Sequence, residues 1–137
     1  MAYTDTVQSQ QGPLLTILGT TYINLCSNNY LGLASHPRLK NAAISAIKSY
    51  GIGTASVRAL VGTHQLHVDL EKALAEFKGT EDAVVVTGGY LANMAAITTT
   101  VSKDDVVVSD ELNHASIIDA VRLSGAQYKF IYKHADM

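Results

Sequence analysis

The chain has 137 residues, with 10 basic and 12 acidic side chains and a formal charge of −2, so no positive excess is available to hold nucleic acid or an anionic membrane surface. Its hydrophobic share of 47% is ordinary, but its charged share of 16% lies well below the roughly 25% usual for soluble domains, and part of its surface is expected to be covered by a partner or by further polypeptide. No apolar run reaches the roughly 18 residues of a membrane span, no signal-peptide pattern opens the chain, and the lone Cys26 gives neither an internal disulfide nor a thiolate metal site, which fits a reducing cytoplasm.

Residues 1–12 read as a polar, unpatterned tail. From Pro13 a short strand pair is expected around the turn Leu18-Gly19-Thr20, its second strand running from Thr21 to Cys26 and ending in Ser27-Asn28-Asn29. Pro37 stands where a helix can begin, and Leu39, Ala43, Ile44 and Ile47 recur at helical spacing until Tyr50-Gly51. Residues 51–62 form a glycine-punctuated connector, long enough to suggest a functional or interfacial loop, and complete a first segment over 13–62. Thr63 opens a second helix with Leu66, Leu70, Leu74 and Phe77 on one face and Gly79 at its end.

The rest of the segment 63–137 changes character. Ala83–Val86 and Val106–Val108 are β-branched runs without alternation, the pattern of strands buried on both faces. Predicted helices over Tyr90–Thr100 and Asn113–Ser124 follow these runs, and a strand over Tyr128–Tyr132 follows the second helix. The order β-α-β-α-β gives an α/β fold, a mostly parallel sheet with flanking helices and ligand sites at the carboxyl ends of its strands. Three strands are few for such a sheet, so the sequence reads as a piece of a larger protein.

The junction Val86-Thr87-Gly88-Gly89-Tyr90 leads a predicted strand into a helix, where backbone N–H groups of Gly89, Tyr90 and Leu91 could hold a phosphate. A plain glycine turn is the competing reading, and the absence of a following Gly-Lys-Ser/Thr excludes a Walker loop. Ser109–Ser116 places His114 near the next helix start, where its imidazole could cover a conjugated ring held by that phosphate; the alternative is capping by Asn113 or Ser116 with His114 as filler. Asn28 could offer a neutral amide to a carboxylate or simply make a turn. Gly51-Ile-Gly53 is no dinucleotide fingerprint, because Ser56 stands where the last glycine belongs. His64 with His67, and Asp110 with His114, have helical spacing but no third ligand, so capping or solvated roles are expected and no metal.

Four stretches, Asn24–Leu33, Gly51–Arg58 with Gly62-Thr63-His64, Leu70-Glu71 and Ser109–Ile118, together resemble the α-oxoamine synthases. These are pyridoxal-phosphate (PLP) enzymes of the aspartate-aminotransferase fold type, and the resemblance runs from about residue 10 to the end. It implies the N-terminal part of the large domain of a PLP-dependent transferase. In that reading His114 stacks on the pyridine ring, and Gly89 and Tyr90 hold the phosphate of pyridoxal 5'-phosphate through their amides, Tyr90 replacing the usual phenylalanine. Asn28 contacts the amino-acid carboxylate, and Arg58 lies in a loop near the neighbouring subunit's active site and the acyl-CoA entrance.

The implied reaction condenses an amino acid, expected to be glycine, with an acyl-CoA to give an α-amino ketone. The glycine C-acetyltransferase branch is expected first and the 8-amino-7-oxononanoate synthase branch second. Family members are much longer and carry the Schiff-base lysine, the aspartate facing the pyridine nitrogen and a carboxylate-binding arginine beyond the matching region. No catalytic residue is therefore expected here, neither Lys103 nor Lys129 lies in the family's lysine motif, and the isolated chain is expected to be inactive. The partners implied are a second copy in a homodimer of the whole protein, or a complementary C-terminal half. A non-catalytic binding or assembly module, including a split-gene subunit, is the competing class.

Overall fold

The computed structural model describes residues 5–135, which separate into two compact units with the division between Gly62 and Thr63. In the first unit, strands β1 (Leu14–Ile17) and β2 (Thr20–Ile23) form an antiparallel hairpin with Leu14 opposite Ile23 and Ile17 opposite Thr20. Leu18 and Gly19 between them take φ of 48° and 76°, the pair of positive angles that matches strand twist in a two-residue turn. The second strand thus starts one residue earlier than Thr21 and stops short of Cys26. Asn24 ends it, because its Nδ2 donates to the Gly12 carbonyl at 3.0 Å and its Oδ1 accepts the Cys26 N–H at 3.2 Å.

A short 3-10 turn over Leu33–Ser35 precedes helix α1 (Pro37–Tyr50), which begins at the expected proline. His36 caps it, its Nδ1 accepting the Arg38 N–H at 3.3 Å. In the connector that follows, Leu60 and Gly62 both donate to the Val57 carbonyl at 3.1 Å. The backbone folds back so tightly that a Cβ on Gly62 would lie 2.1 Å from the Ser56 carbonyl oxygen, so a glycine is required by close approach.

The second unit contains helix α2 (Gln65–Lys78), helix α3 (Gly89–Thr100), strand β3 (Val106–Asp110), helix α4 (Ala115–Leu123) and strand β4 (Tyr128–Tyr132). At the start of α2 the His67 ring accepts the His64 N–H at 2.9 Å, a capping role for the histidine pair. At its end Gly79 takes the left-handed conformation with φ of 67°. Strands β3 and β4 run parallel, with Val106 opposite Tyr128 and Asp110 opposite Tyr132, and α4 makes the crossover between them. The weak helix formers Thr98, Thr99 and Thr100 lie within α3, and each hydroxyl donates to the carbonyl one turn back, at 2.7, 2.6 and 2.6 Å.

One predicted strand does not form. Ala83–Val86 has no ladder partner among the described residues, so the parallel sheet has two strands where three were expected. A strand exists only by pairing with a neighbour, and the Val85 N–H donates to the Glu71 carboxylate at 2.9 Å instead. Among the described residues the buried positions are few: Gly62, Ala75, Ala120 and Ala126, with Ser116 among polar ones. Val84, Val108, Phe130 and Ile131 are exposed, so the low charge of the sequence corresponds to bare apolar surface.

The tight approach at Gly62 gives a direct test. Gly62→Ala is expected to destabilise the first unit by about 1–3 kcal/mol, seen as a lower urea midpoint and faster proteolysis between residues 51 and 62; an unchanged midpoint would show that the loop relaxes freely.

Candidate functional site

Helix α3 starts at Gly88, an extended N-cap with φ of −175° and ψ of 158°. The first amide used by the helix is that of Ala92, which donates to the Gly88 carbonyl at 3.0 Å, so Gly89, Tyr90 and Leu91 have no acceptor within the helix. The first turn carries no acidic residue, and a Cβ on Gly88 or Gly89 would meet no atom within 4 Å. Three amides, the positive end of the helix dipole and open space together favour an anion.

Helix α4 starts at His114, and here the cap is the imidazole itself. Its Nδ1 accepts the Ser116 N–H at 3.2 Å and lies 2.7 Å from Ser116 Oγ. Ser116 is 0% exposed, and its Oγ accepts from Asn93 Nδ2 at 2.8 Å. Asn93 stands one turn beyond Gly89 on α3. The exposed imidazole of His114 is thereby linked, through two hydrogen bonds, to the opening turns of the helix that presents the free amides. Asn113, a capping candidate in the sequence, instead donates to Ser109 Oγ at 2.9 Å and steadies the loop before α4.

The Tyr90 side chain is engaged elsewhere. Its hydroxyl donates to Asp119 Oδ2 at 2.6 Å, and Asp119 Oδ1 accepts from Arg122 at 3.1 Å. The hydrogen bond to the Asp119 carboxylate, with smaller contributions from desolvation and from its charge, pushes the Tyr90 phenol above its ordinary value. Tyr90 can therefore serve a ligand through its backbone while its ring joins α3 to α4. Sequence reasoning missed Asp119 and Asn93 as partners and offered Ser116 only as a cap in its own right; the one available signal was a polar residue on each helix one or two turns from the candidate positions.

Asp110 does not join His114 as helical spacing allowed. Its Oδ1 accepts the Leu112 N–H at 2.8 Å and its Oδ2 lies 2.9 Å from His134 Nδ1. The Leu112 amide first, then His134, hold its carboxyl below the usual range. Among the described residues no group of three or more His, Cys, Asp or Glu could hold a metal ion.

The other two candidates belong to the first unit. Asn28 is exposed and its Oδ1 accepts the Tyr30 hydroxyl at 3.2 Å. Beside it lies a hollow of about 360 Å³ lined by residues including Pro13, Asn24, Ser27, Asn29 and Tyr30, but not by Asn28. Asn29 organises this turn, with its N–H donating to Ser27 Oγ at 2.9 Å and its Oδ1 accepting the Ala34 N–H at 3.0 Å. Arg58 is half-buried within the tight turn that closes on Gly62.

Comparison with known proteins gives a consistent picture. The family model for aminotransferase class I and II matches residues 20–137. The chain is 53% identical over 132 residues to 8-amino-7-oxononanoate synthase of Petrotoga mobilis. It is 51% identical over 131 residues to 8-amino-7-oxononanoate synthase 1 of Bacillus subtilis. Each match covers 96% of this chain and 33% of the relative, so the chain spans about a third of the length of these curated relatives. Among solved structures, serine palmitoyltransferase of Sphingomonas wittichii superposes with a TM-score of 0.91 at 36% identity, covering 96% of this chain and 33% of that one. The enzyme of S. paucimobilis, with PLP and myriocin bound, gives 0.90 at 32% identity and the same coverage. These sequence relatives carry the name of the branch expected second, 8-amino-7-oxononanoate synthase.

The Tyr90–Asp119 contact predicts a pH response. Because the phenol is raised in the folded state, its contribution is present at neutral pH and is lost only as the pH climbs through the ordinary value of 10.0 and beyond it. Phenolate absorbance is expected to show one late-titrating tyrosine that disappears in Tyr90→Phe; the same titration curve in both proteins would contradict the contact.

Proposed function

Because the chain belongs to the aminotransferase class I and II family, we propose that it forms the phosphate- and ring-binding part of a PLP-dependent acyltransferase of the α-oxoamine synthase type. The observation that carries this reading is the linkage of an exposed imidazole cap to a helix start with three free amides and no acidic residue. That donor set fits the cofactor: a phosphate needs N–H donors and open approach, and a pyridine ring needs a flat, polarisable neighbour.

In this assignment Gly89 and Tyr90 donate their N–H groups to the phosphate. The Tyr90 phenol, held by Asp119, keeps that backbone in place. His114 lays its ring against the pyridine. Asn28 orients the amino-acid carboxylate so that the bond to be broken at Cα stays aligned with the π system, and Arg58 borders the acyl-CoA side; both roles come from the family motifs. The bound cofactor supplies an electron sink for that bond. No residue of this chain is assigned the base or the covalent attachment, and without them turnover falls by orders of magnitude.

Within the family, the relatives at 53% and 51% identity favour the 8-amino-7-oxononanoate branch over glycine C-acetyltransferase. The product in that name carries its amine on a methyl-bearing carbon next to the ketone. Alanine supplies such a carbon where glycine would not, and a dicarboxylic acyl-CoA supplies the rest. The exposed apolar residues favour assembly with further polypeptide, in the same chain or a second one. Among the described residues no helix is long and apolar enough to cross a membrane, and the cytoplasm is the compartment we assign to the reading.

Cofactor titration tests it. PLP is expected to bind the purified chain reversibly and about tenfold or more tighter than pyridoxal, which lacks the phosphate, a difference of about 1.4 kcal/mol. Gly89→Glu, which sets a carboxylate beside the free amides, is expected to remove that preference. Equal binding of the two compounds would refute the phosphate site, and stoichiometric borohydride labelling of one lysine would refute the absence of covalent attachment.

A further inference from the structure

We propose that Asn93 and Ser116 are positioning residues that hold His114 in one neutral tautomer, with the proton on Nε2, and fix its ring against α3. A backbone amide can only donate, and that of Ser116 lies 3.2 Å from His114 Nδ1. Nδ1 must therefore present a lone pair. A second donor converges on the same atom. Asn93 Nδ2 donates into Ser116 Oγ at 2.8 Å, which leaves the hydroxyl hydrogen for Nδ1, 2.7 Å away.

The three groups thus form a chain of hydrogen bonds running in one direction, from Asn93 through Ser116 to His114, and each bond polarises the next. Ser116 is 0% exposed, so water cannot take the place of either partner. A proton on Nδ1 would face the Ser116 amide and break the cap of α4, at the cost of an unsatisfied donor. Nε2 carries the proton instead and has no partner among the described residues. Turning the ring over would forfeit both bonds, so its plane is set by α3 as well as by α4.

The tautomer follows from the hydrogen bonds alone; its use in holding a cofactor ring rests on the function proposed above. The test keeps the two apart. In the full chain, at a pH where the imidazole is neutral, ring-nitrogen chemical shifts by NMR are expected to show Nδ1 unprotonated and Nε2 protonated. Asn93→Asp brings a carboxylate that can only accept, draws the Ser116 hydroxyl hydrogen away, and is expected to shift the ring towards Nδ1–H and weaken PLP binding. A structural role alone would not move the tautomer.

An Nδ1–H ring in the unaltered chain would overturn the proposal, and an unmoved tautomer in Asn93→Asp would remove Asn93 from it. Should that variant lose its helical circular dichroism, Ser116→Ala, which removes the hydroxyl that joins Asn93 to the ring, is expected to lower the Nε2–H population, and an unchanged population there would remove Asn93 and Ser116 from the proposal. If the unaltered chain shows the Nε2–H ring but PLP fails to bind it, the positioning assignment stands and the cofactor reading falls.

Discussion

The second unit depends on a single buried hydroxyl. Ser116 Oγ takes a hydrogen bond from α3 and contacts the ring that caps α4, so one atom joins helix packing to helix initiation. Deleting it would leave the Asn93 amide without its acceptor and the His114 cap with one donor, a loss of about 1–3 kcal/mol on the scale of buried unsatisfied groups. The Tyr90–Asp119 bond ties the same two helices at a second point. Both ties start from the opening turns of α3, which is why the free amides of Gly89, Tyr90 and Leu91 are held in a fixed place.

Hydrogen bonds have this weight because apolar burial is sparse. Fully burying a Val, Leu, Ile or Phe side chain contributes about 1.5–3 kcal/mol, yet Val84 is 79% exposed, Val108 66%, Phe130 58% and Ile131 74%. Most of that gain is unrealised within the described residues. Caps and the tight turn at Gly62 therefore hold a larger share of the structure than they do in a domain with a filled core. The chain spans about a third of the length of its relatives, and these apolar side chains lie exposed within the described residues.

What the sequence disclosed was local. Pro37, Gly79 and the leucine spacing of α2 announced helix limits because capping and periodicity act within a few residues. The glycine junction before α3 and the histidine at the start of α4 were legible for the same reason. Ala83–Val86 read as a strand because its valines carry the composition of one, but pairing is a relation to a neighbour that composition does not contain. Asp110 was offered His114 by helical spacing and took His134 instead, since the parallel register sets Asp110 opposite Tyr132, two residues before His134. The motifs carried the family but not its branch: they put glycine C-acetyltransferase first, whereas the relatives at 53% and 51% identity are 8-amino-7-oxononanoate synthases.

The two helix starts divide their work by what each atom can still do. Tyr90 has its phenol committed to Asp119, so only its amide is left for a ligand, and a phenylalanine there would leave that amide equally available. His114 has Nδ1 committed to Ser116, so only Nε2–H and the ring faces are left. In the assignment proposed above, each residue keeps one function for the fold and releases another for binding. A cap made by Asn or Asp would satisfy the helix equally well but would offer no aromatic face; a histidine elsewhere on α4 would offer the face without the fixed orientation. In the assignment proposed above, the imidazole at this one position does both.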